Sequence, residues 1–174
     1  MILGIDPGLT GGICAVDRDR RVLILEPMPE TAKVVDSQDL ARLLRRADEL
    51  PMQPPDVFLE QVSARPGQGS VSTFKFGRVY GAVEGVVGAL GFPLHLVRPQ
   101  AWQKVSHAGT PGNADPKERS VLAASRLYPS VDLVRGTTTT RERASQPHLG
   151  LVDALLIAHF GWVTLYGGTH GNGT

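Results

Sequence analysis

Three acidic residues interrupt apolar runs that otherwise read as buried. Asp6 closes Ile2-Leu3-Gly4-Ile5, Glu60 lies within Asp56 to Val62, and Asp153 falls among Val152, Leu155, Leu156 and Ile157. A carboxylate inside such a pattern is costly to bury unless something cationic meets it. If the strands bearing Asp6 and Glu60 are neighbours and the last helix crosses them, all three meet at one place. Three adjoining carboxylates repel unless divalent cations neutralise them. Hard oxygen donors with few His favour Mg²⁺ or Mn²⁺ over Zn²⁺. Such a cluster serves two-metal hydrolysis of a phosphodiester. For Asp6 alone the plainer alternative is a turn cap, as Asp often provides before Pro-Gly.

The elements around these residues follow from the order of apolar runs and turn signals. Met1 to Val16 reads as two strands joined at Pro7-Gly8 and Gly11-Gly12, and Arg21 to Glu26 as a third, an antiparallel meander. Asp36 or Ser37 caps a helix with Leu40, Leu43, Leu44 and Ala47 on its buried face, ended by Pro51, Pro54 and Pro55. The fourth strand, Asp56 to Val62, leads through a flexible loop over 64–72 into a helix from Thr73 to Leu90. That helix is expected to bury Phe76, Val79, Val83, Val86 and Leu90, with Phe74 and Tyr80 also in the core. Its Gly77, Gly81 and Gly85 are expected to pack close against the sheet. Leu94 to Val97 is a fifth strand, and Pro99 to Val105 a short helical piece. Asp115-Pro116-Lys117-Glu118 starts a helix to Leu127, and the last helix runs from Leu149 to Leu165. Residues 136–147 read as mobile. The order β-β-β-α-β-α-β-α-α implies an α/β fold: a five-stranded mixed sheet, antiparallel meander plus parallel strands, with helices on both faces.

At 174 residues the chain suits a single domain, expected over 1–166 with a flexible tail at 167–174. No apolar run approaches the ~20 residues of a membrane span, and one cysteine, Cys14, in a strand suggests a core thiol and a cytoplasmic protein. The net charge of +1 hides an asymmetry. Residues 1–60 carry 7 Lys/Arg against 11 Asp/Glu, and residues 61–174 carry 11 against 6. The basic part could face a polyanion.

Taken in order, GIDPG…TGG, LEQV, FGRVYG, the Trp102-Gln103-Lys104 segment, Pro-Lys-Glu-Arg and HLGLVDALLIAHFG resemble the RuvC family of Holliday-junction resolvases. The pattern is most similar to chloroplast-type and phage-type members. The resemblance covers nearly the whole chain and implies an RNase H-like fold. It implies Asp6, Glu60 and Asp153 as ligands of two Mg²⁺ ions, with Mn²⁺ as a substitute. The family usually adds an acidic or His ligand shortly before the last one; where bacterial members often have it, this chain has Gly150. His148, five positions before Asp153, is the substitute, as ligand or general base. A five-residue step turns an ideal helix by ~140°, so His148 must lie at or before the helix start to face the same site. Lys104 matches a catalytic basic position, and Lys117 and Arg119 match DNA contacts at the positive end of a helix. Lys75, Arg78 and Phe74 are further DNA-binding candidates, Phe74 by stacking on an unpaired base. An aromatic expected three residues after Glu60 is replaced by Ser63, so no cleavage-sequence preference carries over.

The implied activity is paired, symmetric nicking of a four-way DNA junction, which needs two active sites and so a homodimer. A branch-migration helicase is the implied protein partner. A ribonuclease H-like or flap nuclease keeps the site and changes the substrate. A junction-binding protein without catalysis is the non-enzyme alternative. An ATP-binding sugar-kinase or actin-like domain needs a second phosphate loop, for which 174 residues leave no room.

Overall fold

The computed structural model describes residues 1–49, 53–62, 69–134 and 146–167. Five strands form the main sheet: β1 (Ile2–Asp6), β2 (Gly12–Val16), β3 (Val22–Pro27), β6 (Asp56–Glu60) and β7 (Leu94–Val97). Between β3 and the first helix lies a small hairpin, β4 (Glu30–Thr31) and β5 (Val34–Val35). The strand order is β3-β2-β1-β6-β7. β1, β2 and β3 pair antiparallel, whereas β6 and β7 extend the sheet parallel to β1. The expected mixed sheet is therefore present, with β1 at its centre.

Side chains on a strand alternate between faces, and β1 divides the core accordingly. Leu3 and Ile5 join Ile13, Val57 and Leu59 beneath α1 (Ser37–Asp48) and α2 (Ser70–Leu90). Ile2 joins Cys14, Val16 and Phe58 beneath α5 (Leu149–Tyr166), together with residues of α3 (Pro99–Ser106) and α4 (Pro116–Leu127). Asp6 is in phase with Ile2, and Glu60 with Phe58, so both carboxylates project on the α5 face. Cys14 is wholly buried there, which pushes its thiol pKa well up.

α5 has the length and hydropathy of a membrane-crossing helix, but most of it is buried inside this fold. A helix apolar all round is what a core with neighbours on several sides requires. Three glycines let it lie directly on the sheet. A Cβ on Gly4 would come within 2.3 Å of the Ala154 carbonyl oxygen and the Ala158 nitrogen. One on Gly12 would meet the Gly150 carbonyl at 2.7 Å, and one on Gly150 the Thr10 carbonyl at 2.1 Å.

Several expectations need correction. The fourth strand of the main sheet ends at Glu60 rather than Val62. α2 begins at Ser70, inside the expected loop, and fully buries Val79, Val83 and Val87, leaving Phe76, Val86 and Leu90 at the edge of the interface. Gly77, Gly81 and Gly85 do not pack against the sheet: a Cβ on any of them would meet nothing within 4 Å. Phe74 is not core but 67% exposed, because five residues before Val79 is about 140° round the helix. The expected helical piece at 99–105 is present as α3, a helix of two full turns, so that three helices follow the last strand of the main sheet. The β4–β5 hairpin went unanticipated. The expected loops at 64–72 and 136–147 fall largely outside the described residues, as do Ser63 and 168–174.

Candidate metal centre

Asp6 and Glu60 stand at the C-terminal ends of adjacent parallel strands. Ile5 pairs with Leu59, so the next residue on each strand is a carboxylate at the same level. α5 crosses above them, and its close seat on Gly4 and Gly12 brings Asp153 over the pair. The electrostatics register this proximity. Burial first, then the charges of Glu60 and Asp153, push the Asp6 carboxyl up to about 7. Burial and Glu60 push Asp153 up to about 6, against the opposing pull of Ser120 and Lys117. Burial also raises Glu60, opposed by a hydrogen bond from Trp102. Without a cation the three resist being charged together.

The donor set is three carboxylates, the chemistry that suits a hard divalent cation. Among the described residues, no group of three or more His, Cys, Asp or Glu side chains is placed so as to hold a metal ion. The carboxylates share a patch partly open to solvent, and burial with mutual repulsion raises the cost of charging them together. Neutralisation by a cation would remove that penalty, so the residues suit Mg²⁺ in donor type, while their side chains are not drawn together as a preformed site.

Two carboxylates are gripped from behind by buried groups that the sequence reading did not assign. The Trp102 indole Nε1–H donates to Glu60 Oε1 at 2.9 Å, and Trp102 is 1% exposed. The Ser120 hydroxyl hydrogen-bonds Asp153, and Ser120 Oγ lies 3.0 Å from His107 Nε2. With Ser120 donating to the carboxylate, His107 supplies the Nε2–H to the hydroxyl. His107 is 5% exposed, and burial and Arg119 hold its pKa below the usual value, consistent with a neutral ring. Trp102 carried a faint signal, a tryptophan beside a lysine in a short helix. Ser120 and His107 carried none.

His148 meets its positional condition, since it is the N-cap of α5, ahead of the first turn. Its ring, however, serves the helix: Nδ1 accepts from the Leu151 N–H at 3.2 Å. In the neutral ring this puts the proton on Nε2. Ligation through Nε2 would move that proton to Nδ1 and break the cap.

The basic candidates separate into three places. Lys117, on the first turn of α4, is close enough to pull against the rise at Asp153. Lys104 lies instead in an open groove between α3 and α4 with Gln100, Gln103, His107 and Arg119. Arg119 Nε donates to Thr110 Oγ1 at 3.1 Å. Phe74, Lys75 and Arg78 are on the first turns of α2, where the Arg78 guanidinium lies 6.0 Å from the exposed Phe74 ring.

A central antiparallel meander continued by parallel strands, with acidic residues at the ends of β1 and β6 and on the helix crossing them, defines an RNase H-like domain. Within that class the chain is RuvC-like in fold. It superposes on RuvC of Thermus thermophilus in complex with a Holliday junction substrate with a TM-score of 0.62 at 24% identity, covering 97% of this chain and 96% of that one. A second Thermus thermophilus RuvC structure gives a TM-score of 0.57 at 25% identity, covering 95% and 96%. No protein-family model matches the chain, and no curated protein matches it.

Proposed function

We propose that this protein is a divalent-metal-dependent endonuclease that resolves four-way DNA junctions by paired nicks, leaving 5′-phosphate and 3′-hydroxyl ends. The observation that carries the reading is the convergence of Asp6, Glu60 and Asp153 on one face of a fold shared with junction-resolving RuvC.

Asp6, Glu60 and Asp153 would hold two Mg²⁺ ions, and Mn²⁺ would substitute. Bound there, the ions supply an activated water and stabilise charge on the leaving oxygen. The protein's own part is positional. Trp102 and the Ser120–His107 pair hold one oxygen each of Glu60 and Asp153, so the remaining oxygens face the substrate side. Lys117 lowers the cost of charge beside Asp153. Lys104 and Arg119 form a cationic wall on which the phosphates of the cut strand can lie. Phe74 is free to stack on an unpaired base. His148 offers its Nε2–H as a proton donor while its Nδ1 caps α5. It enters as a ligand only by releasing Leu151. A homodimer supplies the second site for symmetric nicking. The outward glycine stripe of α2, open at Gly77, Gly81 and Gly85, is a surface on which two copies could approach closely.

The test is cleavage of a labelled immobile junction in Mg²⁺ and in Mn²⁺ beside duplex, flap and RNA–DNA hybrid, with Asp6→Asn as control. Symmetric nicks on the junction, abolished by the substitution, are expected. Preference for flap or hybrid would keep the site and change the substrate. Junction binding without cutting in either metal would overturn the catalytic reading.

A further inference from the structure

The β4–β5 hairpin has a turn that its sequence does not favour. Glu30 pairs with Val35 and Thr31 with Val34, leaving Ala32 and Lys33 as a two-residue loop. Their φ angles are +53° and +61°. Two consecutive positive φ values are the mark of a type I′ turn, for which Asn-Gly is the favoured pair. Ala and Lys there carry a Cβ penalty that glycine would avoid. Such strain persists where the surroundings over-determine it and the side chain is needed.

Lys33 does reach something. With Lys75 and Arg78 of α2, and Ser37 at the start of α1, it lines an open groove of about 340 Å³ floored by Val79 and Ala82. Three cations converge on it, and no carboxylate is among the described residues that line it. The one acid within the lining stretch 33–37, Asp36, is engaged elsewhere: it accepts from Gln38 N–H, Asp39 N–H and the Thr31 hydroxyl. Those bonds, with Asp36 N–H donating to the Pro29 carbonyl at 2.9 Å, also tie the hairpin to α1.

The groove lies at the same end of the sheet as the carboxylates but on its opposite face, beside α1 and α2. Asp6 pairs with Gly12 and Gly12 with Pro27, so the chain leaves β3 for the hairpin at the level of Asp6. Resting on the proposed junction-resolving function, we infer that this groove is a second phosphate-binding site, which grips the backbone of a junction arm away from the scissile strand, with the strained Lys33 as the cation the hairpin contributes. The contact is to phosphate and carries no base specificity.

The variant Lys33→Gly separates this role from a structural one, since glycine relaxes the turn while removing the charge. Binding of a labelled four-way junction is followed by anisotropy between 50 and 200 mM salt in the Asp6→Asn background, which prevents cutting. Relative to Lys33, Lys33→Gly should weaken binding on the order of fivefold and reduce the slope of log K on log salt by about one. Its melting temperature should be equal or higher, and Lys33→Arg should restore binding. Junction binding by Lys33→Gly with unchanged affinity and salt slope overturns the groove alone. Failure of the Asp6→Asn protein with Lys33 intact to bind any DNA overturns the functional reading beneath it.

Discussion

Trp102 donates its indole N–H to Glu60 across 42 residues of chain, and it does so while 1% exposed. The bond fixes one oxygen of a carboxylate that ends a strand and would otherwise rotate freely. Partners behind a metal ligand of this kind commonly govern metal affinity by 10- to 100-fold. Trp102→Phe keeps the aromatic packing and removes the donor. It should weaken Mn²⁺ binding by roughly 10-fold or more, read by electron paramagnetic resonance or calorimetry. Unchanged affinity would show that Trp102 is packing alone.

Gly4 lies directly beneath α5, with no room for a Cβ against the backbone at 154 and 158. Gly4→Ala must push the helix outward. The expected cost is about 2 kcal/mol or more in denaturant unfolding, as for other overpacked cores. Because α5 carries Asp153, metal affinity should fall as well, whereas Gly81→Ala, facing open space, should cost nothing by either measure in the monomer.

Asp6 and Asp153 give the metal-free protein an inverted pH dependence. Both have folded values, about 7 and about 6, above the ordinary 3.8. Between these limits the folded state binds more protons than the unfolded state, so stability falls as pH rises from about 4 to 7. Asp6→Asn removes the largest share and should stabilise the metal-free protein at pH 8 by roughly 2–4 kcal/mol. Mg²⁺ should raise the melting temperature of the protein with Asp6 intact more at pH 8 than at pH 5. A Mg²⁺ shift that is independent of pH would contradict carboxylate ligation.

His148 caps the helix that carries Asp153, five residues ahead of it in the chain. Asn is a strong N-cap, so His148→Asn should leave stability within about 1 kcal/mol. If the ring acts through its Nε2–H, cleavage falls while Mn²⁺ affinity stays level. A parallel loss of Mn²⁺ affinity would assign the ring as a ligand that gives up its cap in the metal-bound protein.

The carboxylates were legible in the sequence because a charge in an apolar run has few structural excuses, and strand adjacency then followed from the order of elements. The meander, α1 and the start of α4 were legible for the same local reason: their caps and periodicities agree with the fold. What stayed hidden depends on tertiary placement. The β4–β5 hairpin lacks Asn or Gly at its turn, so no local signal marked it. Phe74 was misplaced because the apolar pattern of α2 is diffuse, and only the seat of Val79, Val83 and Val87 shows which side faces the sheet. The glycine stripe signals closeness to something without saying what, and the sheet is not its partner. Ser120 and His107 reach Asp153 from a helix and a loop that no spacing rule connects.

The seat of α5 on Gly4, Gly12 and Gly150 ties the candidate centre to the most deeply packed part of the molecule, which should open last. In many enzymes the reactive groups ride on loops that exchange their amide protons early, and local breathing separates activity from folding. Here the backbone amides around Asp6 and Asp153 belong to the central strand and the core helix. They should be among the slowest to exchange, at rates set by global unfolding. The carboxylate face then has no loosened state of its own, and under the proposed function any adaptation to different DNA shapes falls to the elements around it: the hairpin, the first turns of α2 and the groove between α3 and α4.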